Sequence, residues 1–352
     1  MWQIENHTPF GAERAWARDR DGAEVWLVAI KATFDIAPDG GLTIADQQPP
    51  PEKTTVYFGE PGRSSVRYES DLVLTKKTTD IVVVGHAHAP EGRPVSELDV
   101  GLRVGGVRKV IKVFGDRLWG DFGAGSGRPF VKMPLVYERA FGGAAVDPED
   151  PERDWDWRNP VGCGYARRGG AAVGVPLPNL ESTDRLINAW TDRPAPAGFG
   201  AIGCHWQPRL RHAGTYDQHW LDERQPLWPE DLDDRYFQCA PEDQQSPAFM
   251  VGGEPVALLN MTQGGGLLRF QLPRLHLGFE TRFQRGEREL HTVRRLHTVI
   301  FEPDAPRVSL VWHSALPCHQ KVYQLDRTVV TLKTALNTRR WVEDDRDDGL
   351  LG

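Results

Sequence analysis

Three histidines, His205, His212 and His219, recur at intervals of seven residues, with Cys204 beside the first. On one continuous helix they would form a stripe, and three imidazoles can hold zinc. Pro208 and Gly214 fall between them and argue against that helix, so surface or aromatic-packed histidines are the simpler expectation. Cys204-His205 and Cys318-His319 are two copies of one dipeptide, which would make a four-ligand zinc site if the fold joined them. Neither pair has the usual ligand gap, and nothing orients a third group for thiol catalysis, so free structural cysteine is expected. His86 and His88 flank Ala87 at the end of an apolar run. On a strand they face the same side, where they can bind metal or move protons. The turn Pro90-Glu-Gly-Arg-Pro94 follows at once, so a strand-end position beside solvent is the default.

Other motifs fail on context. Gly198-Phe-Gly-Ala-Ile-Gly203 matches G-x-G-x-x-G, but Pro194 and Pro196 precede it and Trp206-Gln-Pro208 follows. A dinucleotide loop needs a strand before and a helix after. Gly123-Ala-Gly-Ser-Gly127 lacks the Lys of a phosphate loop and the glycine spacing of a nucleophile elbow, and Asp121-Phe-Gly123 lacks the other kinase parts. Glu138 beside Arg139 reads as a buried acid or as a solvated or salt-bridged one. The acidic run Asp147 to Asp156 lacks calcium-loop spacing. No catalytic residue, metal ligand or cofactor is assigned. What remains is Trp155 and Trp157 within that acidic loop. Exposed Trp beside charge is a composition of protein-binding surfaces, and these two are the expected partner contacts.

The elements that would position these groups are mostly strands. Trp26 to Ile36 is β-branched and aromatic, and Asp80 to Val84 is a short buried-strand run. Leu98, Val100, Leu102 and Val104 alternate with polar or small residues, as do Val107, Lys109, Ile111 and Val113 across Gly105-Gly106. That pattern predicts a hairpin with a primed turn. Pro49-Pro-Pro51 marks a loop. Val256 to Met261 and Leu267 to Leu272 flank Gly264-Gly-Gly266 as a second hairpin. Leu275 to Phe283 alternates, and Thr298 to Phe301 and Val308 to Trp312 bracket a further turn. The middle is crowded with Gly, Pro and Trp, and Glu181 to Trp190 is its best helix candidate. The expected fold is mainly β, a sandwich or distorted barrel of two strand-rich regions with long loops and a few short helices. The expected divisions are 1–120, 121–250 and 251–335, with a tail over 336–352, and a single domain spanning all of them is the alternative. No fixed-period repeat supports a solenoid or propeller.

Composition narrows the function classes. The chain has 352 residues, net charge −7, 39% hydrophobic and 26% charged residues, which is globular. It has no overall basic field of the kind nucleic-acid binders carry. No run is long enough to span a membrane, and the start shows no secretory signal. Four scattered Cys fit reduced thiols in a cytoplasmic protein.

An ordered series of short motifs carries a resemblance. Asn6-His-Thr-Pro-Phe10, Lys31-Ala-Thr-Phe34, Ser70-Asp-Leu-Val73, Thr79-Asp-Ile-Val-Val-Val-Gly-His-Ala-His-Ala-Pro90 and Gly115-Asp-Arg-Leu-Trp119 come first. Met133-Pro-Leu-Val-Tyr-Glu-Arg-Ala-Phe-Gly-Gly143, Asn159-Pro-Val-Gly162, Leu177-Pro-Asn-Leu-Glu181, Ala213-Gly-Thr-Tyr-Asp217 and Gln238-Cys-Ala-Pro-Glu-Asp-Gln-Gln245 follow. Over roughly residues 1 to 315 the chain resembles a bacterial family labelled as a domain of unknown function, whose genes sit in type VI secretion clusters. The chain departs from that family at His297, where an acidic residue is usual, and at Trp312-His313, where Trp-Arg is usual. The resemblance implies an adaptor or chaperone that binds a toxic effector in the cytoplasm and helps load it onto the VgrG spike. The alternative from another class is a metal-assisted hydrolase using some of His86, His88, His205, His212 and His219. A structural part of the spike is a third possibility.

Overall fold

The computed structural model describes residues 2–144, 154–165, 173–318 and 321–333. Its centre is the strand Glu24–Ile36, buried along nearly its whole length. It lies between Gly11–Arg18 and Arg307–Pro317 in a six-stranded sheet that continues through Thr298–Glu302 to Asp80–Val83. Apolar side chains on both faces make this strand a continuous hydrophobic run rather than an alternating one. Trp26, Val28, Ile30, Ala32, Phe34 and Ile36 point to the main core.

The second sheet has five strands and carries both predicted hairpins. Glu97–Val104 pairs with Val107–Phe114, and Pro255–Leu259 joins the outer side of the first strand and pairs with Leu267–Gln271. Gly105 supplies the positive φ of 54° that the tight turn needs. The inner side chains of this sheet, Val100, Leu102, Ile111, Leu258 and Phe270 among them, enter the same core as the central strand. Phe270 meets Phe301 edge to face at 6.0 Å between centroids, which fixes one sheet on the other. A four-stranded sheet, Gln3–Asn6, Leu325–Leu332, Leu277–Phe283 and Arg288–Val293, closes one end. Trp26 Nε1 donates to Thr328 Oγ1 at 2.9 Å and ties it to the central strand. The architecture is a β sandwich, and none of its sheets closes into a barrel.

Strands from the first and last thirds of the chain thus share sheets. The Gly/Pro/Trp-rich middle covers the outer face of the six-stranded sheet, where Val66, Val82, Val84, Ala201, Cys239, Ala240, Ile300 and Val311 form a second core. It is held by hydrogen bonds in place of regular strands. Val83 N–H donates to Phe199 O at 2.9 Å, and Gln244 Nε2 donates to Ile81 O and Phe199 O at 2.8 and 3.0 Å. The helices described are short, Gln207–Leu210 and Gln218–Glu223, the second capped by Asp217.

The helix expected over 181–190 does not form. Leu180–Ser182 is a short strand on Val107–Phe114. The Glu181 side chain is buried, binds Arg117, and accepts the Ile187 N–H at 2.7 Å. A buried ion pair from Glu181, the first residue of the segment, to the distant Arg117 accompanies this strand in place of a helix. The tail expected from residue 336 lies outside the described residues. No helix among the described residues is long and apolar enough to cross a membrane.

Candidate interaction surface

The exposed aromatic site is built on a loop held from beneath. Phe141–Gly142 pairs in parallel with Cys163–Gly164, and the chain between them carries both tryptophans. Asn159 sits at the base, fully buried, and its Nδ2 donates to Tyr137 O and Phe141 O at 2.8 and 3.0 Å. Its carbonyl accepts from Gly143 N–H at 2.8 Å. Gly142 is required here, because its φ is 147° and a Cβ would lie 2.3 Å from the Asn159 carbonyl oxygen. Asp156 is buried and takes three donors from Arg158, the backbone N–H, Nε and Nη2. The pairing pins the loop between the two indoles and holds the Arg158 pKa above its ordinary value.

Trp155 and Trp157 stand on this base, 38% and 55% exposed. Their rings are perpendicular with centroids 4.9 Å apart, so one presents an edge to the other's face. Tyr165 stands alongside with the Arg193 guanidinium 4.9 Å from its ring centroid. Together with Asp154 and Arg158 they border an open hollow of about 610 Å³. Two indoles are thus held in one mutual geometry at the surface, flanked by both signs of charge. Exposure of Trp155 and Trp157 was the expectation from their acidic neighbours. Residues 145–153, the rest of that acidic run, lie outside the described residues.

A second hollow of about 440 Å³ adjoins the first and shares Arg158 with it. Its floor is apolar, with Tyr137, Ile202 and Ala240, and its walls carry Lys109, Arg211 and the consecutive acids Glu242 and Asp243. The Gln207 N–H donates to Trp157 O at 3.0 Å, which links this pocket to the indole ridge. No sequence signal marks it, since its walls come from segments over a hundred residues apart.

The histidines divide. His86 and His88 do share one side, and they close on a single carboxylate that the sequence reading missed. Asp304 takes His86 Nδ1 at 2.5 Å on one oxygen and His88 Nε2 at 2.7 Å on the other. Burial pushes the Asp304 carboxyl up, but hydrogen bonds from His88 and His86 outweigh it and hold the carboxyl below its usual range. The other three sit on separate pieces of chain. His205 Nε2 accepts from Trp206 Nε1 at 3.0 Å, His212 lies 3.9 Å from Asp233, and His219 is on the short Gln218–Glu223 helix. Burial lowers the pKa of His205 and of His212. Among the described residues no three His, Cys, Asp or Glu side chains form a group that could hold a metal ion. His319 lies outside the described residues, and all four cysteines are free thiols. Glu138 accepts the backbone N–H and the hydroxyl of Ser65, both at 2.7 Å.

The fold and surface define a β-sandwich protein that carries a braced aromatic ridge at its surface. The family model for an uncharacterized protein conserved in bacteria (DUF2169) matches residues 21–313, and the chain belongs to that family. No curated protein and no solved structure matches it.

Proposed function

We propose that the chain is an adaptor that binds another protein across the Trp155–Trp157 ridge. Its partners in this reading are a toxic effector, held in the cytoplasm, and the VgrG spike protein onto which the effector is loaded by type VI secretion. The observation that carries the adaptor reading is the perpendicular indole pair, exposed yet fixed from beneath by Asn159 and Asp156. Tryptophan and arginine dominate interface energetics, and side chains already ordered lose little entropy on binding. The secretion setting is supported by the ordered motif series from Asn6 to Gln245.

Co-expression with the proteins encoded beside this chain tests the reading. A stoichiometric complex that makes a neighbour soluble is the expected result. Trp155→Ala with Trp157→Ala should abolish capture while leaving the melting temperature nearly unchanged. Undiminished capture by that variant removes the ridge from the interface. No complex with the full neighbour set at low salt overturns the adaptor reading, and metal analysis of the purified protein then tests the hydrolase alternative.

A further inference from the structure

We propose that the pocket beside the ridge receives the C-terminal carboxylate of the partner chain, with an apolar last side chain on its floor. This rests on the adaptor reading and names what the adaptor recognises. A hollow of about 440 Å³ suits one or two residues rather than a broad surface. Its apolar floor accepts a side chain, and of the five cations that line it, Lys109 and Arg211 stand beside the acids Glu242 and Asp243.

The counterions of those cations decide the argument. Lys109 Nζ lies 2.9 Å from Asp243, and Arg211 pairs with Glu242. Both acids come from one short turn, Glu242–Gln244, and their side chains are 56% and 71% exposed. The Lys109 side chain is only 10% exposed. A buried ammonium is therefore held by a carboxylate that itself stands in water. Burial pushes the Lys109 pKa down, and Asp243 recovers only part of that. The neighbouring cations are committed differently: Arg209 to Glu69 and Arg158 to Asp156, acids that are themselves buried. Arg235, also on the wall, pairs with the partly exposed Asp233 but is itself 59% exposed. Lys109 is the buried cation here whose counterion stands in water, and Arg211 beside it can likewise exchange its counterion without stranding a buried charge.

Glu242 and Asp243 thus occupy the place of an incoming carboxylate. A chain end arriving there neutralises Lys109 out of water, where the interaction is strongest, and returns the two acids to solvent. It also leaves the pocket toward the ridge, because Gln207 hydrogen-bonds to Trp157 and Arg158 borders both hollows. In a chain of net charge −7, cations gathered over one apolar pocket are a local feature.

The test uses short fluorescent Gly-Ser peptides ending in Leu, Phe or Val, each with a free C-terminal carboxylate or as the amide. Polarisation against the whole protein should show saturable binding of at least one acid form, with its amide weaker by about tenfold or more. Lys109→Met and Arg211→Gln should each bring the acid form down to the amide level, with melting temperatures that show both variants folded. Equal binding of acid and amide, no saturation by any peptide at about 1 mM, or undiminished binding by both variants overturns the proposal. The assay contains no secretion protein. A negative result beside successful neighbour capture sinks the carboxylate pocket alone, and failed capture sinks the adaptor reading whatever the peptides do.

Discussion

The rings of His297 and His313 stand 4.9 Å apart, centroid to centroid, at 42°. Both are positions where the resemblance leads one to expect another residue, and the fold places them in one contact. His297 Nδ1 and His313 Nε2 are both buried without a hydrogen-bond partner. Burial first, then the positive Lys76 nearby, pushes the His313 pKa down to about 3. Burial, then His313 and Lys76, takes His297 well below its ordinary value. Both rings are therefore neutral in the folded protein.

This fixes the sign of an acid effect. An unfolded histidine takes up a proton near pH 6.5, whereas folded His313 refuses it until about pH 3. Stability is thus fully present above about pH 6.5 and falls as the pH drops below it, by about 1.4 kcal/mol per pH unit for one such group. His313→Phe removes that term. The acid limb of its stability curve, from urea unfolding at stepped pH, should be shallower by about that slope. An unchanged limb means that folded His313 titrates normally.

Lys76 and Asp80 form a buried pair, 3% and 0% exposed. Asp80 also accepts from Gln238 Nε2 and Cys239 N–H, both at 2.8 Å, and Lys76 Nζ donates to Thr298 Oγ1 at 3.2 Å. The pair joins the start of the Asp80–Val83 strand to the wrapping middle segment. Asp80→Asn leaves a buried ammonium without its counterion and should cost about 3–5 kcal/mol. Lys76→Met strands the carboxylate in the same way. The double variant should lose less than the sum of the two, which a double-mutant cycle in urea measures. Strict additivity would show that the two charges do not stabilise each other.

What was legible in the sequence follows from how local each cause is. The hairpin over Glu97–Val104 and Val107–Phe114 is written in alternation and a two-glycine turn, all within one short stretch. The central strand is legible because both its faces are buried and its residues say so. The middle segment is not, because its order depends on partners such as Gln238 and Asp80, 158 residues apart. Glu138 likewise found Ser65, 73 residues away, when its neighbour Arg139 was the visible candidate. Exposure of Trp155 and Trp157 could be read from the charges beside them, whereas Asn159 and Gly142 beneath them gave no sign of holding the loop.

The misread segment at Glu181 makes a prediction of its own. Arg117 binds Glu181 and lies with its guanidinium carbon 3.6 Å from the Phe114 ring centroid. Glu181→Ala should therefore cost about 3–5 kcal/mol in urea unfolding, as removal of one partner from a buried pair does. A free peptide of residues 181–190 tests the other half. Its circular dichroism should lack the helical minima, because a segment this short does not hold a helix alone. A helical spectrum would mean that the fold suppresses a real local preference.

The ridge itself separates two ways of losing a partner. Trp155 and Trp157 are exposed, so replacing both removes contact area without opening the core. Asn159 touches no solvent, and Asn159→Ala removes its Nδ2 bonds to Tyr137 O and Phe141 O. The loss of those donors should cost about 1–3 kcal/mol, since Phe141 O loses its side-chain donor while Tyr137 O keeps only the Ala140 N–H at 3.1 Å. It should also release the loop that sets the two indoles perpendicular, so proteolysis within 154–165 should quicken. Gly142→Ala should do the same by a different route, forcing a Cβ onto the Asn159 carbonyl. If binding depends on the indoles being held in place, both base variants weaken capture with the tryptophans intact, and the double tryptophan variant loses capture with stability intact. Normal capture by Asn159→Ala, alongside faster loop cleavage, would show that the indoles bind without being pre-ordered.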